Sequence, residues 1–128
     1  MAEMSNYLEN ALINVTLRAT SYTAPTTVYV GLYTSDPTDA NTGTEVSGGS
    51  YARKSATFGA PSNGVSTTSA DIQFDQATAS WGTIAYIGIL DALTSGNLLY
   101  HTPLDTSKDI ATGDIFKIAS GSLTVTLA

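Results

Sequence analysis

The clearest pattern in this chain has a period of two and centres on one stretch. From Trp81 to Leu90 nearly every position is apolar, aromatic or β-branched. In an extended strand, Trp81, Thr83, Ala85, Ile87 and Ile89 share one face, and Gly82, Ile84, Tyr86, Gly88 and Leu90 share the other. Both faces are largely apolar, which predicts a central strand covered on both sides, with Trp81 in the core. Gly82 and Gly88 fall together, where a missing side chain lets a ring or backbone approach. Leu93-Thr94-Ser95-Gly96-Asn97 has turn chemistry, and Leu98 to His101 reads as the return strand.

The same alternation recurs elsewhere. Thr27 to Thr34 places Val28, Val30 and Leu32 on one side and Tyr29, Gly31 and Tyr33 on the other. Tyr51 to Phe58 is a thinner strand whose Arg53 and Lys54 suit a guarded sheet edge. Val65–Thr68, Ala70–Phe74, a short piece at Ile110, Asp114–Ala119 and Ser122–Leu127 complete the set. Between them, Gly, Asn and Pro mark turns. Ala40–Ser50 is a long polar loop, expected to be mobile or ordered by a partner. The pattern predicts a mainly β chain: an antiparallel β-sandwich or jelly-roll-like domain of about eight strands.

One segment has helical spacing instead. Over residues 5–19, Ser5 is a suitable N-cap, and Leu8, Ala11, Leu12 and Val15 form one apolar stripe. The chain is thus read as one domain over residues 1–128, with an N-terminal helix at 5–19 and a β-domain at 27–128. The helix either caps the sheet or serves as an arm for a neighbouring subunit.

Composition narrows the function. The net charge is −6 with only five Lys and Arg, which argues against nucleic acid and anionic membrane surfaces. Charged residues make up 12% of the chain, about half the usual share, while Ser and Thr supply roughly a quarter. Such a surface suits a protein that works packed against others or outside a cell. No cysteine is present, so disulfides and thiolate metal sites are excluded. The opening residues carry neither a basic n-region nor an apolar h-region, which predicts synthesis in the cytosol without a signal peptide. No apolar run reaches the eighteen or so residues of a membrane span.

Candidate chemistry is sparse. His101 is the only histidine and reads as a partly exposed structural residue, with no second histidine to complete a zinc site. A nucleophile-elbow motif is absent. Asp36-Pro37-Thr38-Asp39-Ala40-Asn41 has oxygen ligands close together, as a calcium loop does, yet lacks the glycine and distal glutamate of an EF-hand; an Asp-capped turn is the plainer reading. Asp105 to Asp109 reads as a solvated loop. Catalytic residues, cofactors and metals are therefore expected to be none. Tyr22, Tyr29, Tyr33 and Tyr51 cluster in the first half, where they line either a half-buried sheet or a protein- or sugar-binding face. The residues singled out for partner contact are Leu8, Leu12, Val15, Tyr22 and Tyr51.

Several stretches carry a likeness: Ser5-Asn6-Tyr7-Leu8-Glu9-Asn10-Ala11-Leu12, Thr27 to Pro37, Gly48-Gly49-Ser50-Tyr51-Ala52-Arg53, and Ala79-Ser80-Trp81-Gly82 through Tyr100. In these, and in their order, the chain resembles small virion structural proteins of tailed bacteriophages, often labelled tail-fibre-like. The resemblance implies a structural virion protein made in the host cytoplasm, and brings no catalytic residues with it. A short single domain used in many copies fits a capsid decoration or cement protein. That role would pair it with the major capsid protein, as a homo-oligomer and specifically a trimer. The alternative is a tail, baseplate or fibre-associated module that binds cell-surface carbohydrate.

Overall fold

The computed structural model describes residues 2–127. Its elements are β1 (Glu3–Met4), α1 (Asn6–Leu17), β2 (Val28–Tyr33), β3 (Lys54–Ala56), β4 (Val65–Thr67), β5 (Ile72–Gln73), β6 (Gly82–Leu90), β7 (Leu98–Ile110), β8 (Lys117–Ile118) and β9 (Thr124–Thr126). All pairings are antiparallel. One sheet has five strands in the order β1-β7-β6-β2-β3; β4 pairs with β9 and β5 with β8 as two smaller sheets.

The main core lies between the large sheet and these two pairs. Val30 and Leu32 of β2 and Ile84, Ile87 and Ile89 of β6 pack with Ile72, Phe74, Phe116, Ile118, Leu123 and Val125. This is the expected sandwich-like, mainly β architecture, with the second layer split into two separate pairs. The opposite face of the large sheet carries a smaller cluster of Tyr33, Leu90 and Leu98, with Tyr86 against it. β6 is central, as its two apolar faces predict.

Alternation fails at one place in β6. Between Ile84 and Tyr86 the partner register jumps from Lys108 to Pro103. That irregularity re-aims Ile84, which joins Ile87 and Ile89 in the main core rather than sharing a face with Tyr86. It also absorbs Pro103, which has no N–H to give a ladder. β7 consequently runs on to Ile110, and the loop expected at Asp105–Asp109 is strand.

The two glycines of β6 serve different ends. A Cβ on Gly88 would lie 2.7 Å from the Tyr33 ring, so the absent side chain makes room for an aromatic, as expected. Gly82 has φ +81°, and a Cβ there would meet only the Thr34 methyl at an ordinary 3.7 Å, so its backbone conformation, not crowding, calls for glycine.

Trp81 is 5% exposed. Its ring meets Tyr51 edge-on at 5.4 Å and Phe74 at 6.5 Å, and its indole N–H donates to the Gly49 carbonyl at 2.9 Å. The Ala40–Ser50 loop finds its partners within the chain: Val46 is buried, its N–H donates to the Leu32 carbonyl, and Thr78 N–H donates to the Gly49 carbonyl. Tyr51 turns its ring into the core, which shortens the expected 51–58 strand to β3.

Helix α1 begins where Ser5 predicts, with the Ser5 hydroxyl accepting from Leu8 N–H at 3.2 Å. The Ser5 hydroxyl also donates to the Leu98 carbonyl, and Asn6 N–H donates to the Asp39 carbonyl. The start of the helix is thereby fixed to β7 and to the 36–41 loop. Leu8 is its one buried residue; Leu12 is half-buried, and Val15 is exposed. The stripe therefore packs most tightly toward its N-terminal end and leaves Val15 41% exposed, while Ile13 and Leu17, off the stripe on the far side of the helix, stand 52% and 79% exposed.

Candidate functional site

Two polar clusters lie on the face of the large sheet opposite the main core. A single rung of paired residues connects them: Gly31 of β2 opposes Gly88 of β6, Gly88 opposes His101 of β7, and His101 opposes Glu3 of β1. Directly opposed residues share a face. The two glycines leave space in the middle, which Tyr33 and the Leu90–Leu98 cluster fill.

At the β2 end sits Glu45. Its carboxylate accepts from the Tyr51 hydroxyl at 2.6 Å and from Arg53 Nε and NH2, each at 2.8 Å. Arg53 NH1 donates to the carbonyls of Ala92 and Ser95, both at 2.8 Å. Tyr51 Oη accepts from Leu32 N–H at 2.9 Å. The network ties three segments distant in sequence: the 40–50 loop, the approach to β3, and the β6–β7 turn. Burial pushes the Tyr51 phenol up, and its hydrogen bond to Glu45 adds to the shift. Burial, with the Glu45 charge nearby, also pushes Tyr33 up to about 12. Arg53 was expected to guard an edge strand. β3 is an edge strand, and Lys54 there pairs with Asp75 at 2.9 Å, but Arg53 turns inward.

At the β7 end sits His101, 6% exposed, so it is buried rather than partly exposed. Its Nε2 lies 2.8 Å from Asp39 Oδ1 and 3.9 Å from Glu3 Oε2; its Nδ1 lies 3.9 Å from Asp36 Oδ1. The carboxylates are exposed on their outer sides. The 36–41 loop is held as the expected Asp-capped turn, with Thr38 N–H donating to Asp36 Oδ1 at 2.9 Å. What the sequence did not indicate is that this turn closes over the only histidine. Among the described residues no hydroxyl hydrogen-bonds His101, so its pairing with Asp39 has no nucleophile attached.

The residues expected to contact partners are spread widely. Leu8 is buried against its own chain and Leu12 half-buried, whereas Val15 faces outward. Tyr22 is half-buried near Tyr7, Asp91 and Tyr100, and burial raises its phenol above the ordinary value. Tyr51 spends its hydroxyl on Glu45 and Leu32. The four tyrosines of the first half do not assemble an exposed aromatic platform, since Tyr33 is 2% exposed and donates to Asn41. Glu3, Asp39, His101, Glu45 and Arg53 were not expected as a set. Their convergence depends on strand register, which spacing along the chain does not express.

Residues 3–126 match the family described as Podophage GP4 fiber I protein gp80. No curated protein matches the chain.

Proposed function

The chain belongs to the family of podophage fibre proteins described as GP4 fiber I protein gp80, a phage virion structural family, and from that premise we propose a fibre-associated structural module without catalytic activity. The family match across nearly the whole chain is the observation that carries this reading. It favours the fibre over the head, so capsid decoration becomes the weaker of the two expected roles. The geometry supports a scaffold rather than an enzyme: the Arg53–Glu45 cluster is tied into the fold, and among the described residues no hydroxyl nucleophile is hydrogen-bonded to His101.

The surface assigned to virion partners is the outer half of α1. Ile13 and Leu17, four residues apart on one face, expose apolar side chains on a helix anchored at its other end by Ser5 and Leu8; Val15 is exposed on the opposite side. Few charges lie along it, so contacts there would be apolar with neutral rims, and binding would respond weakly to salt. Carbohydrate binding through Tyr-rich loops is less well supported, because Tyr33 and Tyr51 are committed inside the chain. Association with copies of itself, as a trimer, remains part of the proposal.

Gold-labelled antibody on intact virions tests the placement, alongside a mass-spectrometric copy count against the major capsid protein. Label at the tail with a low copy number is the expected result. Label over the head with hundreds of copies would return the protein to a decoration role. Leu17→Asp should leave the isolated chain folded and reduce its incorporation into particles.

A further inference from the structure

We propose that His101, Asp39 and Glu3 form a binding site for a divalent transition-metal ion, with zinc the best match, which staples β1 and the 36–41 loop onto β7. This inference stands on the geometry of the cluster and is independent of where in the virion the protein sits.

One ligand atom from each of the three residues lies within 4.8 Å of the others. Zinc holds nitrogen and oxygen ligands at about 2.0–2.2 Å, which places pairs of ligands roughly 3–4 Å apart. The Nε2–Glu3 separation of 3.9 Å lies within that range and the Nε2–Asp39 separation of 2.8 Å just below it, so a small outward movement of the Asp39 carboxylate, which is 46% exposed, makes room for an ion among the three.

The surroundings favour a cation over a plain ion pair. Three carboxylates face one imidazole, and a proton on His101 would balance only one of them. A divalent ion balances two. His101 is more than nine-tenths buried, its Nε2 pairs with Asp39 at 2.8 Å, and the Asp36 carboxylate lies 3.9 Å from its Nδ1. Nδ1 has no hydrogen-bond partner among the described residues; the Asp36 carboxylate, 3.9 Å away and exposed, would have to close by about 1 Å to orient a metal-bound histidine.

The donor set also selects the ion. An imidazole nitrogen with two carboxylates suits zinc and its transition-metal neighbours, whereas calcium and magnesium prefer oxygen throughout. The ligands come from positions 3, 39 and 101, so a bound ion would cross-link segments far apart in sequence. The outer sides of Glu3 and Asp39 are 71% and 46% exposed, leaving an entry path and room for water to complete the coordination.

The test uses the full chain with any affinity tag removed, since its single histidine must not compete with added ones. After dialysis against EDTA, zinc, magnesium and calcium chlorides are titrated separately by calorimetry, and melting is followed with and without each. The expected result is one zinc per chain with a raised melting temperature, and no comparable effect of calcium or magnesium. Cobalt should give visible absorption bands of a nitrogen–oxygen site. Glu3→Gln should weaken zinc binding by at least about tenfold without altering the metal-free melting temperature. His101→Gln should abolish binding; should that variant fail to fold, Glu3→Gln, whose side chain is 71% exposed, and Asp39→Asn, at 46%, carry the test. Zinc binding equally tight in wild type and Glu3→Gln would overturn the proposal. So would the absence of saturable binding up to about 1 mM, the affinity of a merely weak association, or calcium binding in place of zinc.

Discussion

Arg53 and His101 stand toward opposite edges of the same sheet face, Arg53 against a single carboxylate and His101 facing three. Arg53 meets one carboxylate with two parallel hydrogen bonds and spends a remaining donor on two carbonyls. Glu45 in turn accepts from Tyr51, so three hydrogen bonds engage its two carboxylate oxygens. Charge is matched one to one, and the fork geometry of guanidinium and carboxylate is complete. His101 meets three carboxylates, makes one hydrogen bond at 2.8 Å, and leaves two contacts at 3.9 Å. The first cluster is a fastening that is complete within the chain. The second has more acceptors than donors and an open outer side, the arrangement of a site that takes a ligand. A buried polar side chain thus reads as structural or as open to a ligand according to how fully its own chain satisfies it.

The comparison breaks most severely if the floor beneath the first cluster is removed. Trp81 supports Tyr51 edge-on and holds Gly49 in the loop that carries Glu45. Trp81→Ala should cost about 3–5 kcal/mol by cavity formation alone. Urea unfolding measures it, and a midpoint near that of wild type would show that the Tyr51–Glu45 network does not rest on the core.

Arg53 is the next test. Arg53→Met leaves a half-buried Glu45 carboxylate and two carbonyls without their donor. The expected loss is about 3 kcal/mol, the lower end for breaking a buried pair, since Glu45 keeps some exposure. Adding Glu45→Leu to that variant should recover a substantial part, because the uncompensated charge leaves with it. If the double variant is no better than Arg53→Met, the cost lies in the Ala92 and Ser95 carbonyls, not in the ion pair.

An alkaline titration separates the clusters without mutation. Tyr33 and Tyr51 are held above the ordinary phenol value, mainly by burial, so folding favours their neutral forms. A raised folded value contributes stability that is complete below the ordinary value near 10 and is lost as pH rises toward about 12. Urea midpoints should therefore fall across that window, together with tyrosinate absorbance. Glu3→Gln should show the same alkaline curve, since no phenol lies in the His101 cluster.

The two regions were unequally legible in the sequence. Alternation over Val28–Tyr33 and Trp81–Leu90 located the two central strands and the buried tryptophan, because period two follows directly from the pleat. Ser5 marked the helix start by its chemistry. The β7 extension was obscured by Pro103 and by the acids at 105 and 109, which read as loop until a register shift allows a proline within a strand. Arg53 looked like an edge guard because Lys54 beside it is one. The His101 cluster was the least legible: Glu3 reaches it by a two-residue strand and Asp39 by a turn, and neither approach has a periodic signature. The likeness to phage virion proteins identified the kind of protein but did not locate its polar sites.

The smallest expected effect bears most directly on the contrast. Glu3 is 71% exposed and 3.9 Å from His101, so as an ion pair it should contribute little. Glu3→Gln removes one of three negative charges while keeping the side chain's shape, and relief of repulsion among the carboxylates offsets any attraction lost to the imidazole. The metal-free stability should change by no more than about 0.5 kcal/mol in either direction. Glu45→Gln, an equally conservative change, removes a carboxylate that Arg53 and Tyr51 both engage, and should destabilise clearly by equilibrium unfolding. A Glu3→Gln loss as large as that of Glu45→Gln would mean that the β7 cluster is also a completed fastening. A near-neutral Glu3→Gln beside a costly Glu45→Gln would leave the carboxylates around His101 with a role other than holding the metal-free fold together.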